Sequence, residues 1–404
     1  MKLDKRDING AFTFLPMDDI VIGEGCVGQL GDTLEKYGVK RALLVTGNTL
    51  YNKTNLVDRI RVATGGRIAE VFHETEQHVP RQSVIECAKV ARAANVDAVI
   101  SFGGGSPNDT AKAIVLSLAE NIESPDVFDE FRIKFEYPDK IEVPTMKMDK
   151  AVPLFAIPTT LSAGEFTHIV GITDETRKVK DLYVDKHLAA KVVFLDPNMT
   201  METPEWLWLS SGMRSVDHAV EALYSTTAHP FTDALSAHAL VMLHKFLLEC
   251  KADPNDKVAR LQCQIAAWMS VSGLANVSLG LSHGTGHQLG ARCGVPHGIT
   301  SCVMLHHTMR FNKEYTKGRL VWIAQILGTY EAGMSDDEAA DVAADTIQKL
   351  TRDLGLPDRL RDANVSPNEF QALAEDALQD MIVATNPRPV SSPDDVIELL
   401  KMAY

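Results

Sequence analysis

The sequence contains no long apolar run, since nowhere in its 404 residues do apolar side chains approach the ~18 in succession that a membrane-spanning helix requires. The first seven residues carry charges with no apolar segment behind them, so we expect no signal peptide. The six cysteines are scattered and form no Cys-x-x-Cys pair, which is typical of free thiols in a reducing compartment. The sequence therefore predicts a cytoplasmic protein with no membrane contact.

Positive charge is also scarce, with 40 Lys and Arg against 54 Asp and Glu and a net charge of -14. Such a protein has no cationic surface for sequence-independent binding of nucleic acid, and anionic lipid would repel it. An anionic ligand must therefore be held by a local site and not by the overall field. The 45% hydrophobic and 23% charged residues exclude a disordered chain.

The chain changes character near residue 198, where apolar strand-like runs give way to long stretches at helical spacing. Apolar runs without alternation are typical of strands in a parallel sheet covered by helices. We therefore predict an α/β nucleotide-binding domain with a parallel sheet over residues 1–198, an all-helical domain over 199–404, and a ligand cleft at their junction. A long irregular connection is expected at 121–150. The predicted strands are 41–46, 67–72, 97–102, 153–157 and 192–195, and the predicted helices are 82–94, 216–224, 232–248, 258–274, 320–330 and 337–354.

A glycine-rich loop at residues 103–112 follows a predicted strand and opens a helix. Three consecutive glycines let the backbone approach a ligand closely, and the free N–H groups of a helix N-terminus suit a pyrophosphate. Ser106 is the predicted N-cap, Pro107 suits the first helical position, and Asp109 completes a capping-box-like pattern. A capped turn without a ligand explains these three residues but not the glycines, so phosphate binding is favoured. Asn108 stands where the standard dinucleotide motif has its third glycine.

Two threonines, Thr159 and Thr160, come directly after the predicted strand 153–157. Small hydroxyl residues at the carboxyl end of a strand can hydrogen-bond a cofactor in a crevice. They are equally typical of an ordinary capped turn, so the residues alone leave both possibilities open.

Histidines cluster in the helical half. His283 and His287 are spaced i, i+4 and share one helix face. His218 and His297 also have small or glycine neighbours, which leave room for a ligand. Three imidazoles suit Zn²⁺ or Fe²⁺, although such a site usually adds a carboxylate or keeps an open position. The histidines at 306–307 have no such setting and are expected to be structural.

The sequence resembles the iron-containing (group III) alcohol dehydrogenase family, on motifs that occur in order along nearly the whole chain: 103–112, 158–160, 196–197, 218–221, 283–291, 296–298 and 309–312. The resemblance implies that family's dehydroquinate synthase-like fold, NAD(P)-dependent hydride transfer and a homodimer. It also implies a metal held by one Asp and three His, of which the three match His218, His283 and His297, while His287 matches a histidine beside the nicotinamide and substrate. The implied cofactor contacts are Gly47, Asn48, Gly104, Gly105, Ser106, Asp109, Thr159, Thr160 and Lys180.

One departure from the family pattern matters most. The family's aspartate ligand lies four residues before the first histidine ligand, and here that position is Arg214. A guanidinium stays protonated and repels a cation. Asp217 is no evident replacement and is better placed to pair with Arg214 at i, i+3. The segment 158–167 is also one residue shorter than in the metal-dependent members. Both features are similar to the maleylacetate reductase branch, whose members work without a bound metal, so neither Fe²⁺ nor Zn²⁺ is expected; a bound metal would use the three histidine ligands.

The predicted activity is NAD(P)H-dependent reduction of a small anionic oxo-acid, such as maleylacetate to 3-oxoadipate in aromatic-compound degradation. Arg214 offers a fork for a substrate carboxylate, and the delocalised charge of an enolate can be stabilised by histidine donors in place of a metal. The predicted catalytic residues are Arg214, His218, His283, His287 and His297.

Three alternatives stay open. In the first, Arg214 only forms a structural ion pair with Asp217 or Glu221. In the second, the protein is a Fe²⁺- or Zn²⁺-dependent alcohol dehydrogenase that acts on a simple alcohol or aldehyde. In the third, it binds a nucleotide without catalysing a reaction. Both NADH and NADPH are expected to bind, because the strand 41–46 ends in Gly47-Asn48-Thr49, with no acidic residue to repel a 2′-phosphate.

Overall fold

The computed structural model describes residues 11–177 and 179–404. The strands in this part of the chain are β1 (Asp19–Ile22), β2 (Ala42–Val45), β3 (Ile68–Phe72), β4 (Ala98–Gly103), β5 (Lys134–Glu136), β6 (Lys140–Glu142), β7 (Leu154–Pro158), β8 (Ile169–Asp174), β9 (Val179–Val184) and β10 (Val192–Leu195). Six of them form one parallel sheet in the order β1-β10-β7-β4-β2-β3. The predicted parallel sheet is confirmed, and β1 is an edge strand that the sequence pattern did not reveal.

Two antiparallel hairpins lie outside the main sheet. The pair β5–β6 falls within residues 121–150, so the prediction of a wholly irregular connection was wrong there. Its strands have three residues each, which is too short for an alternating pattern to be recognised. The pair β8–β9 is inserted between the sheet strands β7 and β10, and it carries Lys180.

The second half of the described chain is helical, as predicted. The last sheet strand ends at Leu195, and the first long helix of this half begins at Glu205. The predicted domain boundary at residue 198 falls between them and stays a prediction. The helices before it are α1 (Leu30–Lys36), α2 (Asn48–Lys53), α3 (Leu56–Ala63), α4 (Arg81–Ala93) and α5 (Gly105–Ala119). Those of the second half are α6 (Glu205–Tyr224), α7 (Pro230–Ala252), α8 (Lys257–Val271), α9 (Leu281–Cys293), α10 (His297–Phe311), α11 (Lys313–Ile326), α12 (Asp336–Asp353), α13 (Phe370–Ala377), α14 (Met381–Ala384) and α15 (Pro393–Ala403).

The sheet is apolar on both faces. Successive side chains of a strand point to opposite sides, so the consecutive apolar residues of a strand supply both faces. Leu43 and Val45 of β2 belong to a core that continues into α6, α7 and α8, whereas Ala42 and Leu44 belong to a separate core covered by α1 and α3. A third core joins α9, α10, α13 and α15. The shared core couples the sheet to α6, so residues on α6 are held in a fixed position relative to the strand ends.

The carboxyl ends of β2, β4 and β7 lie along one edge of the sheet. Gly103 of β4 is paired with Pro158 of β7, and the N–H of Thr159 donates to the carbonyl of Gly103 over 2.9 Å. The predicted cofactor residues that follow these strands are therefore neighbours in space. None of the described helices combines the length and the apolar character needed to cross a bilayer.

Candidate active site

The glycine loop brings α5 to the sheet edge with its N-terminus open. The helix begins at Gly105 with Gly104 as its N-cap, so the prediction of Ser106 as N-cap was wrong. Because the turn starts earlier, Ser106 and Pro107 lie inside the first turn, and Asp109 forms no capping box but an ion pair with Lys180 at 3.3 Å. A Cβ at Gly104 would lie only 3.0 Å from Cγ2 of Thr160. A side chain at position 104 would therefore crowd Thr160 where the β4 and β7 ends meet, and the N–H groups of the first turn stay available for an anion.

Lysine side chains fix the segment beside this loop. Lys112 is fully buried, and its Nζ donates to the carbonyls of Gly164, Thr167 and Ile169 over 2.6–2.9 Å. Lys180 crosses the β8–β9 hairpin over Gly171, where a Cβ would lie 2.0 Å from the Lys180 Cε. Gly171 therefore gives Lys180 its path toward the glycine loop, a requirement that the sequence did not reveal.

Arg214 lies on α6 and is 4% exposed. Its Nη1 donates to the hydroxyl of Ser301 over 3.2 Å and lies 3.6 Å from Oδ2 of Asp217, as the i, i+3 spacing predicted. Oδ2 of Asp217 also accepts hydrogen bonds from Ser282 and Ser301, over 2.9 and 2.6 Å. Burial lowers the pKa of Arg214 to about 10, so the guanidinium stays protonated at neutral pH.

A second buried pair lies beside the arginine. Nδ1 of His283 is 2.7 Å from Oε2 of Glu221, whose two oxygens also accept from the N–H groups of Gly280 and Ser282. Burial and the Arg214 charge oppose protonation of His283, but Asp217 and Glu221 outweigh them and raise its pKa. The interior thus places the Arg214 guanidinium and the His283 imidazole against two carboxylates.

His287 and His297 form a stacked pair whose ring centroids are 5.6 Å apart. Nδ1 of His287 lies 2.7 Å from Oδ2 of Asp380. Burial and the Arg214 charge lower the pKa of both histidines, so both are neutral at pH 7; the effect is smaller for His287, because Asp380 opposes it. With a carboxylate at Nδ1, His287 keeps its proton there and leaves Nε2 as the reactive nitrogen.

One cavity of about 1040 Å³ is lined by the glycine loop, Lys180, Arg214 and the histidines at 283, 287 and 297. It lies between the sheet edge and α6, α9 and α10, and its volume is at the upper end of the range for small-molecule sites, as a dinucleotide plus substrate requires. The predicted site residues that line it are Gly47, Asn48, Gly104, Gly105, Ser106, Asp109, Thr159, Thr160, Lys180, Arg214, His218, His283, His287 and His297. The structure therefore places every one of them on the same cavity, while their roles stay predictions.

The sequence did not point to three residues that the structure adds. Asp380 comes from a loop 93 residues after His287, Ser301 comes from α10, and His78 enters the cavity from the loop after β3. The sequence carried no pattern that links them to the site, because each is brought there by the packing of distant segments.

These residues do not fit a divalent ion held in the family's manner by one Asp and three His. Arg214 replaces the aspartate, and its charge acts on His218, His283, His287 and His297 alike. Within the described residues, His218, His283 and His297 do not together form a group whose ligand atoms lie within 4.8 Å of one another. A cation would have to share a buried site with a guanidinium, which is electrostatically costly. Asp217, Glu221 and His283 do form a group within that distance.

The sheet edge, by contrast, fits a nicotinamide dinucleotide. A glycine cradle at a helix N-terminus meets hydroxyl groups and a lysine at the carboxyl ends of parallel strands, which is where open α/β sheets bind such cofactors. Together, fold and site define an NAD(P)-binding oxidoreductase.

Comparison with known proteins gives the family. The model described as "Iron-containing alcohol dehydrogenase" matches residues 17–197, and the one described as "Fe-containing alcohol dehydrogenase family, C-terminal" matches residues 208–404. The chain belongs to the iron-containing alcohol dehydrogenase family and is a dehydrogenase or reductase of that family, whose members use NAD(H).

Among relatives, the lactaldehyde reductase of Escherichia coli K12 is 33% identical over 385 residues, which covers 95% of this chain and 97% of the relative. A crystal structure of 1,3-propanediol oxidoreductase superimposes with a TM-score of 0.87 at 28% identity and covers 98% of this chain and 100% of that one. The maleylacetate reductase of Agrobacterium tumefaciens has a TM-score of 0.79 at 24% identity over 98% and 99% of the two chains. This last likeness shows a shared fold.

Proposed function

We propose that the protein is a metal-independent, NAD(P)H-dependent reductase of a small oxo-acid, with maleylacetate as the example, and that Arg214 binds a carboxylate of the substrate. The observation that carries the proposal is a buried guanidinium on the wall of the cofactor cavity, where the family places an anionic metal ligand.

The hydrogen bonding of Arg214 supports a ligand role. A guanidinium offers five N–H groups, and within the described part of the chain only Nη1 has a hydrogen-bond partner, the hydroxyl of Ser301. Arg214 lines the cavity, where a substrate carboxylate can accept two of its N–H groups in a bidentate pair. The ion pair with Asp217 is therefore a support that holds the guanidinium in place and leaves its fork available.

The chemistry is a two-electron reduction. When bound, the reduced nicotinamide supplies the hydride. With maleylacetate, the hydride adds to the carbon–carbon double bond, the electron pair moves into an enolate, and one proton completes 3-oxoadipate. Arg214, His218, His283 and His297 are hydrogen-bond donors to that delocalised charge.

His287 is the group we assign to proton transfer. Its Nδ1–H is held by Asp380, so Nε2 can accept a proton and return it, while the carboxylate stabilises the imidazolium that forms in between. Asp380 is in this account a positioning residue, because it acts through His287.

The experiment that tests the proposal is Arg214→Ala, with Arg292→Ala as the matched control. Arg292 is also on a helix and paired with an aspartate, but it is partly exposed and does not line the cavity. We expect Arg214→Ala to lower kcat/KM on the oxo-acid by about 100-fold and on a neutral aldehyde by less than about 5-fold, whereas the control changes neither. Equal losses on both substrates would contradict a carboxylate-binding role.

A metal-dependent alcohol dehydrogenase is the second candidate, and one observation favours it. Nε2 of His283, Nδ1 of His218 and Oδ1 of Asp217 are buried and have no hydrogen-bond partner among the described residues. Glu221, the other carboxylate near His283, already accepts from two backbone N–H groups, which leaves it a poor ligand. Metal analysis of freshly purified protein separates the two candidates.

A further inference from the structure

The loop that joins β3 to α4 holds His78 in an unusual backbone conformation. His78 and Val79 have φ values of 65° and 58°, in the left-handed region that residues other than glycine rarely adopt. For Val79, which is β-branched, this conformation is costly, on the order of 1–3 kcal/mol. Two consecutive residues persist in it only because the surrounding structure determines it.

Thr173 on the β8–β9 hairpin provides that support. Its hydroxyl donates to the carbonyl of His78 over 2.6 Å, and its N–H donates to the carbonyl of Val79 over 2.9 Å. The side chain of Val79 is itself buried, so it anchors the turn in the core. The loop therefore presents the His78 side chain in a fixed position.

The imidazole of His78 reaches across the cavity to α9. A Cβ at Gly290 would lie 3.3 Å from Cε1 and 3.7 Å from Nδ1 of His78, so glycine at this position makes room for the ring. His78 lines the cavity and is half-buried, and in the described structure neither ring nitrogen has a hydrogen-bond partner. Burial lowers the pKa of His78, with Lys180 adding to the effect, and a neutral imidazole still keeps one N–H donor.

Arg214 approaches the same helix one turn away. A Cβ at Gly286 would lie 3.6 Å from Nη1 of Arg214. Gly286 and Gly290 are four residues apart on α9, which corresponds to about 6 Å along the helix axis. Two groups that can hold an anion thus approach neighbouring turns of one helix and line the same cavity.

We infer that His78 is a specificity-determining residue that hydrogen-bonds a second carboxylate of the substrate, at the end opposite the carboxylate bound by Arg214. The inference rests on the proposed oxo-acid reduction and narrows its substrate class to dicarboxylic acids. His78 contacts the substrate, so its loss changes which acid is preferred and leaves the cofactor bound.

The experiment compares binding of adipate and hexanoate, two six-carbon acids that differ in one carboxylate, to the full-length enzyme with NADH. The variant is His78→Asn, because asparagine tolerates the left-handed conformation but is too short to replace the imidazole. His73→Asn is the matched control, since His73 lies in the same connecting segment, stacks on Tyr51 at 3.9 Å and does not line the cavity. Thermal unfolding checks that each variant is folded.

We expect the parent to bind adipate at least about 10-fold more tightly than hexanoate. His78→Asn should reduce this ratio to within about 3-fold by weakening adipate alone, with the affinity for NADH and hexanoate unchanged, and His73→Asn should keep the parental ratio. A parental ratio in His78→Asn, or a loss of NADH affinity, overturns the inference. So does a parent that does not prefer adipate.

Arg214→Ala separates this result from a failure of the proposed function. It should weaken both acids, because it removes the group that binds the carboxylate they share. If neither acid binds the parent and Arg214→Ala has no effect on oxo-acid turnover, the proposed function fails and the His78 inference fails with it. If Arg214→Ala weakens both acids while His78→Asn weakens neither, only the His78 inference is lost.

Discussion

The two walls of the cavity use different physical means to hold anionic groups. At the sheet edge, Gly104, Gly105 and the threonines offer backbone N–H groups and hydroxyls to an anion. On the helical wall, Arg214 is a buried charge, and Asp217 and Glu221 lie beside it and beside His283. The first wall follows the pattern shared by the family. The second departs from it at one residue that inverts the local charge, which is why the cofactor can be assigned with the family and the substrate cannot.

The largest effect is expected at the sheet edge, where the binding of NADH should be weakened by Gly104→Val. Its Cβ would lie 3.0–3.2 Å from the Thr160 side chain before the two methyl groups are counted, so the loop must move away from the pyrophosphate position. We expect the Kd for NADH, measured by fluorescence titration, to rise by about 100-fold or more, about 2.7 kcal/mol.

The control for this variant is Gly28→Val. Gly28 is exposed, and a Cβ there would meet nothing within 4 Å. NADH affinity should stay at the parental value in the control. Tight NADH binding by folded Gly104→Val would show that the glycine loop does not hold the cofactor.

A smaller effect is expected on the helical wall from Asp380→Asn. Oδ1 of Asp380 caps α14 by accepting from the N–H of Ile382, and asparagine can do the same, so the fold is preserved. The amide no longer fixes the proton on Nδ1 of His287. We expect kcat to fall about 10- to 100-fold with KM for the oxo-acid within about 2-fold.

Asp376→Asn is the matched control for Asp380→Asn. Asp376 lies four residues away and pairs with Arg292 near the surface at 2.6 Å. It should leave kcat unchanged. A fall in kcat of the same size in both variants would indicate a general disturbance of this region and remove the positioning role of Asp380.

The smallest expected effect concerns the preference between NADH and NADPH. Gly47, Asn48 and Thr49 line the cavity after β2, and none of them is acidic or basic. We therefore expect kcat/KM for NADH and NADPH to differ by less than about 100-fold, about 2.7 kcal/mol. A stronger preference for NADH would mean that a group outside this turn excludes the 2′-phosphate.

The elements and site residues of the sheet edge could be predicted from the sequence, but those of the helical wall could be predicted only in part. Uninterrupted apolar runs located β2, β4, β7 and β10, and consecutive glycines located the loop, because both depend on local patterns. The N-cap was misplaced at Ser106 because a glycine N-cap has no side chain to recognise, and Gly104 takes that position. Local sequence patterns therefore predict the presence of a helix or strand more reliably than the residue at which it begins or ends.

Long-range partners could not be predicted. The i, i+3 spacing gave the pair of Arg214 and Asp217, but Ser301 reaches the same arginine from α10, 87 residues along the chain. His78 was not singled out, because its position depends on support from Thr173 on a hairpin that the sequence pattern did not reveal. These contacts exist only once the helices have packed against the sheet edge.

The most direct test of the central claim is the activity of metal-stripped enzyme on an oxo-acid. Protein is dialysed at length against a chelator, its Fe and Zn content is measured, and kcat is determined with NADH before and after. Because a protonated Arg214 occupies the place of the family's anionic ligand, we predict that kcat is unchanged in protein with far less than one metal ion per chain. Loss of activity on chelation, restored by Fe²⁺ or Zn²⁺, would contradict this account and establish the metal-dependent alcohol dehydrogenase in its place.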